Sequence, residues 1–235
     1  MKNTKQKLPI TRTQFMVIVS YIAVLIVSNV IANRQILLFD RWEFTAAVLV
    51  FPFVYILSDI ISEVFGYKWS RKSCYIAFAA NIFAAIVFYL VCLLPAPSWF
   101  GDTAAFSTVL QAVPRVTLAS LVAFVVGDFV NDKLFAKMKG NKDHKGYQVR
   151  SIVSSFFGQL VDSCVFLPLA FLGVMPVEAL IGMILPYVIA KIGYEIIFLP
   201  VNTWIMKKAS KLHQKELSDF GIKTEVRDGE VYIKG

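Results

Sequence analysis

The sequence predicts an all-α, polytopic integral membrane protein with six transmembrane helices and both termini cytoplasmic. Three observations carry that expectation. The 235 residues are 57% hydrophobic and only 17% charged, with a mean hydropathy of +0.63, whereas about a quarter of residues are charged in an average soluble chain. Six apolar stretches reach the roughly 20 residues that a spanning helix requires. The basic residues between those stretches are strongly one-sided.

In chain order the predicted spans are Phe15 to Ala32, Phe44 to Val64, Cys74 to Leu94, Val109 to Val130, Ile152 to Val174, and Ala179 to Met206. Trp42, Trp99 and Trp204 sit where interfacial aromatics belong, and Pro95, Pro97 and Pro176 interrupt helix in the connections. The N-terminus is basic and then apolar, but the run is long enough to span and no small-residue cleavage site follows Val30. It reads as a first membrane helix. Outside the spans, twenty Lys and Arg fall in the two termini and the second and fourth connections, against two, Arg34 and Arg41, in the alternate connections. By the positive-inside rule the twenty mark the cytoplasmic side. Residues 1–206 are thus expected to form the transmembrane domain and residues 207–235 a short hydrophilic tail. Its Thr224 to Lys234 segment is compatible with a small hairpin around Arg227-Asp228-Gly229.

Composition also excludes functions. The formal charge of +8 is spread over short segments that act as topology signals, so no nucleic-acid partner is implied. Cys74, Cys92 and Cys164 form no C-x-x-C pair and lie within apolar runs, and His144 and His213 lie in basic loops, where they are expected to be solvated. Neither a disulfide framework nor a metal site follows. There is no Walker loop, H-E-x-x-H or G-x-S-x-G. Gly127-Asp128 is similar to the Gly-Asp of intramembrane aspartyl proteases, but the usual Tyr-Asp partner is absent. No enzyme and no cofactor are expected; without a phosphate-binding loop the chain does not hydrolyse ATP itself, which leaves a gradient, facilitated diffusion or a borrowed ATPase for any movement of solute.

Polar residues inside the spans are the informative feature. Gln159 and Asp162 stand three apart in SSFFGQLVDSCVF and share a helical face with Ser155 and Phe166. Lys191 and Glu195 lie at similar depth; Asn29 and Arg115 lie nearer the outer side, and Asp59, Glu63 and Asp128 nearer the cytoplasm. An ionisable group at the bilayer centre costs about 2.5–3.5 kcal/mol on insertion scales, so these groups must face one another, water or a ligand. Arg115 is close enough to a membrane surface to snorkel, and Lys191 is not. Two readings stand side by side. Lys191 pairs structurally with Glu195 at i, i+4 or with Asp162, or the mixed acids, amide and cations recognise an organic solute. Asp59 and Glu63 read either as a solvated helix end or as gating or coupling groups.

An internal echo joins the fourth and fifth spans: Gly127-Asp128-Phe129-Val130-Asn131 and Gly158-Gln159-Leu160-Val161-Asp162 both fit G-[DQ]-x-V-[ND]. The two helices run in opposite directions, so such a repeat implies an axis in the membrane plane.

The string Tyr55-Ile56-Leu57-Ser58-Asp59-Ile60-Ile61-Ser62-Glu63-Val64-Phe65-Gly66-Tyr67-Lys68, followed by Arg71, resembles the signature of the queuosine-precursor transporter family of bacterial inner-membrane proteins. Ser28-Asn29, Arg115 with Ala119-Ser120, Ser155 with Gly158-Gln159 and Asp162, and Lys191 before Phe198-Leu199-Pro200 match it in order. Asp128 and Asn131 depart from it, standing where Gln and Asp are expected. The resemblance implies import of a deazaguanine: 7-cyano-7-deazaguanine, 7-aminomethyl-7-deazaguanine or queuine. It makes Asn29, Arg115, Gln159, Asp162, Lys191 and Glu195 the expected substrate-binding set, with Asp59, Glu63 and Asp128 for gating or coupling. A guanine-like ring offers N–H donors that one carboxylate accepts together and an O6 that a cation or amide answers; Phe156, Phe157 and Tyr194 are available to stack on it. The expected partners are this small deazapurine and the lipid bilayer, and a homo-oligomer is compatible with the sequence. A substrate-binding subunit of a multi-component importer and a membrane scaffold held by ion pairs remain as alternatives.

Overall fold

The computed structural model describes residues 9–38, 41–137, 147–222, 224–227 and 230–233. Helices dominate: α1 Arg12–Ile31, α2 Phe51–Phe65, α3 Tyr67–Cys92, α4 Thr103–Leu110, α5 Val113–Lys137, α6 Tyr147–Phe171 and α7 Val177–Asp219. Two short antiparallel hairpins accompany them, β1 Gln35–Leu38 with β2 Trp42–Thr45, and β3 Thr224–Arg227 with β4 Glu230–Ile233. Among the described residues five stretches are helical, long and apolar enough to cross a membrane: α1, α3, Thr103–Asn131, Val153–Phe171 and α7. Most of their surface is apolar and turned outward, as at Phe83 and Ile197, which suits helices whose solvent is lipid.

The second predicted span is the one that changes. Phe44 and Thr45 belong to β2, Ala46–Leu49 form a 3-10 turn, and α2 covers only 15 residues, about 22 Å at 1.5 Å per residue. Both ends have local causes. Pro52 sits in the first turn, where its missing N–H costs nothing, and Gly66 adopts φ 82, a left-handed conformation that stops the helix. The fourth predicted span starts later than expected, at Val113, with Pro114 in the first turn of α5 and α4 preceding it. The sixth runs past Met206 to Asp219, because nothing from Lys207 to Asp219 is Gly or Pro and Gly221 (φ 75) follows the end. At 43 residues, α7 is about 65 Å long, roughly twice a hydrocarbon core.

The main core sits at the end of the bundle bearing the β1–β2 hairpin, where Phe44 and Val48 pack on Val116, Phe166, Leu167, Met183 and Tyr187 of α5, α6 and α7. Smaller clusters join Tyr21, Ile61 and Ala77 of α1, α2 and α3, and Ile60, Val64 and Ala209 of α2 and α7. The helices α5 and α6 pack against each other along their length.

Candidate functional site

The closeness of α5 and α6 is set by two glycines. A Cβ on Gly127 would lie 2.9 Å from Cβ of Asp162 and 3.0 Å from the Gly158 carbonyl oxygen; one on Gly158 would lie 2.9 Å from Cβ of Asn131 and 3.1 Å from the Gly127 oxygen. The contacts are reciprocal, so the echo in the sequence is also a local two-fold relation in space. Small residues at such a crossing let backbones approach in a membrane, where lipid offers no hydrophobic drive to assembly.

Beside the crossing is a cleft of about 100 Å³. Its lining comes in pairs 31 positions apart, Phe124 with Ser155, Gly127 with Gly158, Asp128 with Gln159, and Asn131 with Asp162. The two sides differ in chemistry, with the acid first on α5 and last on α6. Typical small-molecule clefts measure ~300–1,000 Å³, so this one has room for only part of such a molecule.

Lys191 lies behind that cleft. Its Nζ forms an ion pair with Oδ2 of Asp162, and Lys191 is 6% exposed. The pairing is with Asp162 and not with Glu195 one turn along α7. Nζ also lies 5.4 Å from the centre of the Phe51 ring and 5.9 Å from that of Tyr187, faces that attract a cation. The hydroxyl of Tyr187 is held by Thr45, whose N–H donates to it at 3.1 Å and whose hydroxyl also bonds it. The end of the first hairpin therefore fixes the aromatic cradle of Lys191.

A second cleft, about 90 Å³, opens between α2 and α7. Asp59 and Glu195 line it with Tyr55, Tyr194 and Asn202, and Asn202 donates its amide N–H to Asp59. Tyr55, in the wall of this cleft, also lies beside Gln159 and Asp162 of the first.

The expected residues therefore divide. Gln159, Asp162 and Asp128 share the α5–α6 cleft and Lys191 joins it through Asp162; Glu195 and Asp59 share the α2–α7 cleft. Glu63 is exposed near the end of α2. Asn29 is buried and donates to Oδ1 of Asn81 at 2.6 Å, tying α1 to α3. Arg115 is exposed; its Nε donates to the Leu169 carbonyl at 2.8 Å and its Nη2 to that of Leu172 at 2.6 Å. A cation there answers the free carbonyls and partial negative charge at the end of α6. Phe156 packs edge-on against Phe157, and Tyr194 lies tilted against Phe198. Tyr55, Phe51, Tyr187 with Thr45, Asn131 and Asn202 were absent from the expected set. Tyr55 carries a signal in retrospect, lying one helical turn before Asp59 on the same face.

The family described as "Putative vitamin uptake transporter" matches residues 45–205. The chain is 30% identical over 127 residues to a "Probable queuosine precursor transporter" of Haemophilus influenzae, an alignment covering 54% of this chain and 52% of the relative. It is 25% identical over 178 residues to the protein of that name in Bacillus subtilis, covering 74% and 77%. A "Queuosine precursor transporter" of Escherichia coli is 27% identical over 124 residues, covering 52% of each. The chain thus spans about half the length of the Haemophilus and Escherichia relatives. No solved structure matches it.

Proposed function

This chain belongs to the family of putative vitamin uptake transporters, and from that membership we propose that it imports a queuosine precursor across the bacterial inner membrane for tRNA modification. The names of three relatives point to that solute class. In this reading α2, with the 3-10 turn before it, completes six crossings, and both termini lie in the cytoplasm. The solute is a deazaguanine.

The observation that carries the reading is the Asp162–Lys191 pair at the wall of the α5–α6 cleft. A buried pair used only for packing is weak as a source of stability, since burial of both charges offsets their attraction. Placed at a polar cleft beside Gln159 and Tyr55, it instead presents a carboxylate to an N–H donor edge and an ammonium to a carbonyl oxygen. Asp162 takes the donor edge of the ring, Gln159 adds an amide bond, and Lys191 answers O6. Asn29 and Arg115 act on this site through the helices they join.

The test is rescue of tRNA queuosine in cells able neither to make nor to import the precursor, each candidate base being supplied in turn. Expression of this chain should restore the modified nucleoside with at least one of 7-cyano-7-deazaguanine, 7-aminomethyl-7-deazaguanine and queuine. Protein that reaches the membrane and rescues none would overturn the substrate assignment.

A further inference from the structure

The α2–α7 cleft contains an arrangement that substrate recognition does not use. Asp59 and Glu195 come from different helices into one small cavity, and both are exposed along it. Among the described residues neither forms an ion pair. The groups acting on Asp59 are Glu195 from α7 and Glu63 one turn along its own helix, both of the same sign as Asp59 itself. On the far side of α2, α1 and α3 bring Tyr21 and Cys74 among the described side chains, packed around Ile61 and Ala77. The lone cation of this region, Lys191, is turned to Asp162.

Asn202 adds an independent clue. Its Nδ2 donates to Oδ2 of Asp59, while its Oδ1 is fully buried with no hydrogen-bond donor. A buried acceptor left unmatched is costly, and native structures rarely tolerate one without a ligand or a proton to explain it. A proton on Asp59 supplies what is missing. The carboxylic acid then carries an O–H beside the amide, and acid and amide can donate to each other. A metal cation fits less well, because the Nδ2 donor points at the carboxylate such an ion would need.

We infer that Asp59, paired with Asn202 in the α2–α7 cleft, is the site that carries a proton inward with the solute. The inference rests on the import reading above. Each cycle protonates Asp59 from the outer side and releases that proton to the cytoplasm, leaving the carboxylate. Tyr55 is the link to the solute: one turn from Asp59 on the same helical face, it also borders Gln159 and Asp162. A ligand on Asp162 therefore changes the surroundings of the phenol that walls the proton site.

The experiment uses the full chain in proteoliposomes with a trapped pH dye and whichever radiolabelled deazaguanine the rescue assay selects. An inward proton gradient should drive accumulation of the base above its external concentration, the base should bring acid into the lumen, and a protonophore should abolish both. Asp59→Asn, which mimics the protonated acid, should still exchange labelled for unlabelled base but lose accumulation and acid influx. Wild-type protein that moves base without acid influx, or that responds to sodium instead, overturns the proton site and leaves the import reading intact. Asp59→Asn protein that still accumulates base against a proton gradient overturns it as well. Wild-type protein that moves no base under any gradient overturns both.

Discussion

Asp162 concentrates the chemistry of this protein because two different neighbours compete for it. On one side Lys191, nearly buried and bracketed by Phe51 and Tyr187, satisfies its charge. On the other side the carboxylate faces a cleft shared with Gln159 and Asn131. Removing either partner leaves a buried charge, so Asp162→Asn and Lys191→Gln should each cost on the order of 3–5 kcal/mol of stability. The reversed pair, Asp162→Lys with Lys191→Asp, separates packing from recognition. It should recover much of the membrane yield of wild type, measured by fluorescence-detected size exclusion, while uptake of the base stays lost. Recovery of uptake by the reversed pair would show that the ion pair serves the fold alone. Gln159→Leu, which leaves the ion pair in place, should lower uptake with little change in yield.

At the scale of elements, two junctions position these groups. The α5–α6 crossing depends on the absence of side chains at Gly127 and Gly158, where an added Cβ would meet backbone oxygen or another Cβ at 2.9–3.1 Å. Gly127→Ala and Gly158→Ala should each cost ~1–3 kcal/mol as overpacking and reduce uptake, because the α6 face carrying Asp162 is pushed from its partner. Gly193→Ala, with nothing within 4 Å of its added Cβ, is the matched control and should leave thermal stability in detergent close to wild type. The second junction buries His213, expected in a solvated basic loop, within the extension of α7. There the Glu216 carboxylate accepts the N–H of Thr13 at 2.9 Å and its hydroxyl at 2.8 Å, and the Thr11 hydroxyl lies 2.7 Å from Nδ1 of His213. This joins the extension of α7 to the start of α1. Burial lowers the pKa of His213 from its usual 6.5, against a smaller upward pull from Glu216. Slight burial raises that of Glu216, but the hydrogen bonds from Thr13 and Thr11 outweigh it and hold the group below its usual 4.5. In both cases the folded state holds fewer protons than the unfolded state, so stability falls as pH falls. The junction should be intact at neutral pH, weaken below about 6.5 as His213 takes a proton, and weaken again below about 4.5. Limited proteolysis of the α7 extension across pH 8 to 4 reads this directly: His213→Gln should remove the upper step and keep the lower one.

For the whole molecule, the arrangement that matters is a helix bundle closed at one end by the β1–β2 hairpin and held at the other by α7 and α1. Asp162, paired with Lys191, lines one cleft and Asp59 with Glu195 lines the other, and Tyr55 in the wall of the second lies beside Gln159 and Asp162 of the first. That continuity is what a transporter requires, since coupling travels only through groups in contact whose arrangement both sites bias. The six-crossing topology has its own test. Reporter fusions after residues 70, 140 and 222 should read cytoplasmic, and fusions after residues 41 and 98 should read external. An external signal after residue 70 would mean that α2, at 15 residues, does not cross.

The membrane class was legible in the sequence, because burying apolar surface in lipid requires only composition and length. Basic residues on alternate sides predict an orientation for the same reason, each connection bearing its own charge irrespective of packing, and the reporter fusions test it. The polar face of Gln159 and Asp162 could be read from helical periodicity, and so could the repeat that places Gly127 and Gly158. What periodicity could not supply was choice of partner. Lys191 had two carboxylates in reach, Glu195 on its own helix and Asp162 on another, and only the approach of α6 to α7 selected Asp162. Arg115 was read by depth as able to snorkel, and which carbonyls it meets, those of Leu169 and Leu172 at the end of α6, came from packing. Asn29 was expected at the substrate through the family resemblance, and only packing shows that α3 offers it Asn81 as a partner. Tyr55, Asn131 and Asn202 were given no place in the site because an amide or phenol in an apolar run has no meaning until its neighbours are known. Sequence alone determined that this chain lives in a membrane and which of its faces are polar, since both follow from properties of single segments. Tertiary structure decided which polar faces meet, because a buried charge takes the partner that helix packing brings within reach.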